Sequence, residues 1–84
     1  MARYFFHLHD RSGRTEDEQG REVADLGSLR TRAVKAARSI IQADAGGGLI
    51  DLTARIEVAN EAGETVLTLS FAEAVELITA QAAP

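Results

Sequence analysis

Residues 3–9, RYFFHLH, alternate between apolar and mixed positions and are rich in aromatic side chains. This pattern predicts a β-strand, in which successive side chains point to opposite faces of a sheet. The apolar face is expected to meet the core and consists of Tyr4, Phe6 and Leu8. The mixed face is expected to point outward and consists of Arg3, Phe5, His7 and His9.

The next two segments have weaker patterns. Residues 10–20 contain two glycines among charged and polar residues, which predicts a turn or a long hairpin loop. Residues 21–25, REVAD, alternate through Val23 and predict a short second strand.

From Leu26 onward the hydrophobic period becomes that of a helix. Apolar residues recur at positions 26, 29, 33, 36, 37, 40 and 41, which predicts an amphipathic helix over residues 26–45. Asp25 is the first candidate for its N-cap and Ser28 is the second. Gly46 suits the left-handed position that follows a helix, and it begins a flexible GGG connection.

Two further alternating runs flank a short glycine-containing turn. Residues 53–60 and 65–71 therefore predict a β-hairpin. Ser70 and Glu73 have the spacing of a capping box, in which side chain and backbone bond reciprocally at the start of a helix. Apolar residues at positions 71, 74, 75, 78 and 82 follow on one stripe, so a short C-terminal helix is expected over residues 71–81.

These elements predict a two-layer α+β fold with the order ββαββα. We expect a four-stranded, mostly antiparallel sheet with the long helix packed on one face, together with the short C-terminal helix. The favoured spatial order of the strands, numbered along the chain, is 2-1-3-4, which places the aromatic first strand inside the sheet. Residues 1–84 are expected to form a single domain.

The composition narrows the range of functions. The 84 residues are 45% hydrophobic and 26% charged, and the absence of cysteine excludes disulfides and thiol nucleophiles. A formal charge of −4 disfavours nucleic-acid binding, although residues 1–43 carry a net +2 and residues 44–84 a net −6. There is no signal-peptide pattern and no apolar run long enough for a membrane span, so we expect a cytoplasmic protein with no membrane partner.

His7 and His9 share one face of the first predicted strand, as two ligands of one metal ion do. A metal site needs at least a third ligand. Asp10 points to the opposite face, and Glu57 could contribute only if its strand lies beside the first. We therefore expect a partly solvated pair on the outer sheet face and no cofactor, with metal binding as the weaker alternative.

A basic helix face, formed by Arg32, Lys35 and Arg38, lies opposite the apolar stripe of the long helix. Residues 29–43 contain no acidic residue, so this face could contact an acidic protein, RNA or a membrane surface. The simpler interpretation is a solvated face whose late positions suit the helix dipole.

The sheet face away from the long helix is a third candidate binding surface, after the histidine pair and the basic helix face, because a two-layer domain leaves that face open. It is expected to carry Phe5, His7, Val66 and Thr68. Either self-association or the C-terminal helix is expected to cover it. No residues have the spacing of a catalytic motif, so we do not expect an enzyme.

The segments RYFFHLHD, DEQGREVADL and RIEVANEAGETVLTLSF resemble a family of short bacterial proteins with a domain of unknown function. The resemblance covers about residues 3–71. It implies a small stand-alone domain and no catalytic residues. The hairpin, the Asp-Leu pair and the alanine-rich helix are also similar to the N-terminal half of HicB-like antitoxins, which neutralise a small RNase.

The sequence thus favours a small non-enzymatic protein-interaction module that forms a homodimer and binds a further protein partner. One alternative is a HicB-like antitoxin or regulator that binds a toxin or RNA. A second alternative is a weak metal-binding protein that uses His7 and His9.

Overall fold

The computed structural model describes residues 2–78 and has the predicted α+β architecture. Its elements are β1 Ala2–Asp10, β2 Gly13–Thr15, β3 Arg21–Val23, α1 Ser28–Gly46, β4 Arg55–Ala59, β5 Thr65–Ser70 and α2 Phe71–Ala74. The sheet has five strands rather than the predicted four. Neither helix in this part of the chain is both long and apolar enough to cross a membrane.

The additional strand, β2, lies in the segment predicted to be a loop. The Asp10 carboxylate accepts hydrogen bonds from the Ser12 backbone N–H (2.9 Å) and hydroxyl (2.6 Å), and Gly13 has a φ of 125°. This turn reverses the chain, so that Thr15 pairs with Leu8 and Gly13 with Asp10. All three residues of β2 are exposed, so the strand lacks the apolar alternation that would have predicted it.

The sheet is open and antiparallel, with β1 in its interior. β4 pairs with one edge of β1, and β5 pairs with β4. The other edge of β1 is shared, because β3 pairs with its first half and β2 with its second half. Apart from the additional strand, the predicted spatial order is therefore confirmed.

The ends of α1 differ from the prediction. Its N-cap is Gly27, with no side-chain hydrogen bond, so neither Asp25 nor Ser28 is the N-cap. The Asp25 carboxylate instead accepts a hydrogen bond from the Gly27 N–H in a local turn, which delays the start of the helix. Gly46 is the last helical residue, and the left-handed conformation comes at Gly48, where φ is 87°.

α1 packs on the inner face of the sheet, mainly over β4 and β5. Ala33 and Ala37 are fully buried, and their small side chains allow the close approach of the helix to the sheet. The core is formed by inward-facing residues of both layers: Tyr4, Val23, Leu29, Ala33, Ala37, Ile56, Val58, Leu69, Phe71 and Ala74. Phe6 and Leu8 of β1 are only partly buried, so α1 covers this strand less completely.

α2 begins with the predicted capping box. The Ser70 hydroxyl accepts a hydrogen bond from the Glu73 N–H, and the Glu73 carboxylate accepts one from the Ser70 N–H. The helix has a single turn, because Val75 is already extended. The predicted helix is therefore wrong from residue 75 to residue 78, and its last residues, 79–81, lie outside the described part of the chain.

The short α2 packs against α1 on the core side of the sheet. Phe71 and Ala74 are each only 1% exposed. Arg38 Nε donates a hydrogen bond of 2.6 Å to the carbonyl oxygen of Ala74, which satisfies an acceptor at the end of the helix. α2 consequently leaves the opposite face of the sheet uncovered.

Candidate functional site

The outer face of the sheet, on the side away from α1, carries the predicted surface residues. His7 lies opposite Glu57, and Glu57 lies opposite Thr68, so their side chains form a row across β1, β4 and β5. Phe5 lies next to His7 on the same side of β1. Val66 has no partner in the register, as the extra residue of a β-bulge, and is 47% exposed.

The stacked rings of Phe5 and His7 form an aromatic surface on the outer face. Their ring centroids are 6.3 Å apart and their planes differ by 6°. Both side chains are partly exposed. Parallel rings of this kind offer a surface on which a planar group or a cation can lie.

Asp17 holds the aromatic surface in position. Its carboxylate accepts hydrogen bonds from the backbone N–H groups of Phe6 (3.1 Å) and Gly20 (3.0 Å). Its own N–H donates to Nδ1 of His7 at 3.1 Å, so the neutral imidazole carries its proton on Nε2. The carboxylate thus accepts a backbone hydrogen bond from β1 at Phe6, which lies between the residues that pair with β3 and those that pair with β2.

Asp17→Ala is expected to lower the free energy of unfolding by about 1–2 kcal/mol, because two backbone N–H groups lose their acceptor. Burial acts to raise the pKa of Asp17, but hydrogen bonds from Phe6, Gly20 and Gln19 outweigh it and hold the pKa below its usual 3.8. The stabilisation is therefore present above the unfolded pKa and is lost as the pH falls through the folded pKa.

Urea denaturation checks this prediction by measuring the free energy of unfolding of wild type and Asp17→Ala. The measurement is made at neutral pH and again well below pH 3.8. Glu18→Ala is the matched control, because Glu18 is exposed one residue away. The control should stay within about 0.5 kcal/mol of wild type. An Asp17→Ala deficit that persists undiminished in acid would contradict the expected role of the carboxylate.

His9 contacts the neighbouring strand. Its Nε2 lies 2.8 Å from Oε1 of Glu57, and Arg55 Nε lies 3.8 Å from the other oxygen of that carboxylate. Nδ1 of His7 is already hydrogen-bonded to Asp17. Within residues 2–78, no three side chains of the metal-ligating types are arranged to hold a metal ion.

A depression of about 460 Å³ covers part of the outer face. Phe5, His7 and Ala59 lie among the residues that line it. It is also lined by five acidic residues: Glu16, Asp17, Glu18, Glu57 and Glu61. Arg14 contributes a positive charge and pairs with Glu16 at 3.7 Å, so the depression as a whole is negatively charged.

All three residues of the predicted basic helix face are exposed, and Lys35 and Arg38 line one depression together with Arg30. Arg38 also donates a hydrogen bond to Ala74 at the end of α2. Arg32 and Lys35 line a groove between α1 and β1, where Arg21 of β3 joins them. No sequence pattern indicates that Arg21 belongs here, because its pairing with Tyr4 is what brings it to the helix side of the sheet.

The fold and these surfaces define a small α+β domain with an open antiparallel sheet. A family model described as a domain of unknown function (DUF6894) matches residues 3–72. The chain therefore belongs to this family, and the resemblance to a family with a domain of unknown function is confirmed. No curated protein and no solved structure matches the chain.

Proposed function

We propose that the protein is a small non-enzymatic protein-interaction module whose outer sheet face binds a positively charged segment of a partner protein. The observation that carries this proposal is the depression over Phe5 and His7, which combines parallel aromatic rings with five carboxylates. The surface is preformed, because Asp17 and the β-ladder fix it from two sides.

An arginine or lysine side chain suits this depression for two reasons. Its cation is attracted to the face of an aromatic ring, and it forms charge-assisted hydrogen bonds with carboxylates. A second copy of the same face would instead place like charges opposite each other, which disfavours association. We therefore assign this face to a different protein rather than to self-association.

The antitoxin-like alternative is a special case of this proposal, because a basic toxin would meet the same carboxylates. The RNA-binding alternative has less support. It relies on the basic helix face, where Arg38 already donates a hydrogen bond to Ala74, in a chain whose net charge is −4.

A titration with a peptide in which arginine alternates with serine tests the proposal. Amide NMR spectra of the full chain are recorded as the peptide is added. We expect the resonances of Phe5, His7, Glu57 and Thr68 to shift most, and the affinity to fall with added salt. Phe5→Leu should weaken binding by about two- to fivefold, because it removes the aromatic face and keeps an apolar side chain. Arg14→Gln should strengthen binding.

The control peptide contains citrulline in place of every arginine, which keeps the shape of the side chain and removes its charge. Binding of the control peptide as tightly as the arginine peptide would contradict the proposal. So would shifts centred on α1, or an affinity that Phe5→Leu leaves unchanged.

A further inference from the structure

A groove runs along the flank of α1 that faces β1. The helix lines it with residues that recur at helical spacing: Arg32, Ala36, Ile40, Ala43 and Gly47. Phe6 and Leu8, which alternate inward on β1, line it from the sheet. Ile40 borders both halves of the groove, so the two halves lie next to each other along α1.

One half of the groove is basic. It has a volume of about 560 Å³ and an apolar floor that includes Phe6 and Ala36. Arg21, Arg32 and Lys35 surround this floor, and no acidic residue lines it. None of the three cations forms an ion pair with another residue in the described part of the chain. Three uncompensated cations at one place are unexpected in a chain with a net charge of −4.

The other half of the groove is acidic. It has a volume of about 360 Å³ and is lined by three aspartates, Asp10, Asp44 and Asp51. Arg11 is the cation among its lining residues. Its apolar surface includes Leu8 and Leu49, and the Leu49 side chain is 52% exposed. Hydrogen bonds from Ser12 and Thr53 lower the pKa of Asp10 and Asp51, so both are negatively charged at neutral pH.

We propose that this groove is the interface of a homodimer, in which two copies meet about a two-fold axis near Ile40. A two-fold axis brings each end of the groove against the opposite end of the partner copy, so the same surface must complement itself. The basic half of one copy then lies on the acidic half of the other, at both ends of the interface. The apolar centre becomes covered, including Phe6 and Leu8, which α1 leaves only partly buried.

This inference is independent of the proposed function. The groove and the depression over Phe5 lie on opposite sides of the sheet, because successive side chains of β1 point to opposite faces. A dimer formed through the groove would therefore leave both depressions free to bind a partner.

Charge-reversal variants in the groove test the dimer. Sedimentation from micromolar to millimolar protein concentration measures the dissociation constant of the dimer. The wild type should dimerise within this range, and Arg32→Glu should weaken the dimer by about tenfold or more. Arg14→Glu is the matched control, because it changes the net charge equally and lies on β2 outside the groove. The control should leave the dissociation constant within about twofold of wild type.

A mixture of two variants provides the stricter test. Arg32→Glu makes the basic half less basic, and Asp44→Lys makes the acidic half less acidic, so each variant should complement the other better than itself. Native mass spectrometry should find the heterodimer in excess over both homodimers. Lys35→Glu repeats the test one turn along α1 if Arg32→Glu does not fold.

Three results would overturn the inference. The wild type could remain a monomer at millimolar concentration, Arg14→Glu could weaken the dimer as much as Arg32→Glu, or the mixture could show no excess of heterodimer.

Discussion

Phe71→Ala is expected to lower the free energy of unfolding by about 3–5 kcal/mol, a large share of the stability of a domain of this size. Phe71 is 1% exposed and lies between α1 and the sheet, and its backbone N–H donates to the carbonyl of Ala54 at 2.9 Å. Truncation of a buried phenylalanine costs about 3–5 kcal/mol, because the cavity does not close completely. A domain of this size has a total stability of only about 4–13 kcal/mol.

Urea denaturation monitored by circular dichroism measures this effect. Phe71→Leu retains most of the volume and should cost less than about 1.5 kcal/mol, which keeps one variant folded for comparison. Ile78→Ala is the control in the same segment, because Ile78 is 92% exposed. A loss of less than about 1 kcal/mol for Phe71→Ala would mean that α2 is not part of the core.

Gly20→Ala is expected to destabilise the protein by at least about 2 kcal/mol. Gly20 has a φ of 68°, a left-handed conformation that costs a residue with a Cβ atom about 1–2 kcal/mol. A Cβ atom there would also lie 2.9 Å from the carbonyl oxygen of Tyr4 and 2.8 Å from the Phe5 ring. The ring can move, but the carbonyl cannot move without disturbing the pairing of β1 and β3.

Gly63→Ala separates the two causes. Gly63 has a similar φ of 83°, but a Cβ atom there would meet nothing within 4 Å. It should therefore cost only the conformational part, and the difference between the two variants measures the close approach at Gly20. Gly20→Ala should also shift the NMR resonances of the Phe5 ring. Equal losses of unfolding free energy for both variants would contradict the close approach of Gly20 to Tyr4 of β1.

The elements with strong local patterns could be predicted from the sequence. Alternation predicts β1 and the β4–β5 hairpin, because one face of each strand carries the apolar side chains that pack on the core. The capping box at Ser70 was predicted because its two hydrogen bonds depend only on residues three apart. The outer face followed directly, since alternation alone assigns Phe5 and His7 to one side of β1.

The features that depend on tertiary contacts could not be predicted. β2 is short and fully exposed, so its pairing with β1 leaves no hydrophobic signal. Asp17 cannot be distinguished from Glu16 and Glu18 by sequence, because its role depends on where the chain passes the edge of β1. The end of α2 at Ala74 accepts a hydrogen bond from Arg38, a contact between distant positions in the chain that no local pattern indicates.

The structure gathers charges of the same sign on separate surfaces. Carboxylates collect around the depression on the outer sheet face. The groove along α1 has one basic and one acidic half. We therefore propose two separate surfaces: the groove for a second copy of the chain, and the outer face for a different, cationic protein.

Sedimentation equilibrium of the wild type beside Phe5→Glu tests this separation most directly. The substitution places a charge at the centre of the outer face and leaves the groove untouched. Both proteins should have a mass near twice the chain mass of 9.0 kDa at high concentration, with equal dissociation constants. A Phe5→Glu protein that is monomeric where the wild type is dimeric would instead place the self-association surface on the outer sheet face, and a wild type that stays at 9.0 kDa throughout would contradict the dimer itself.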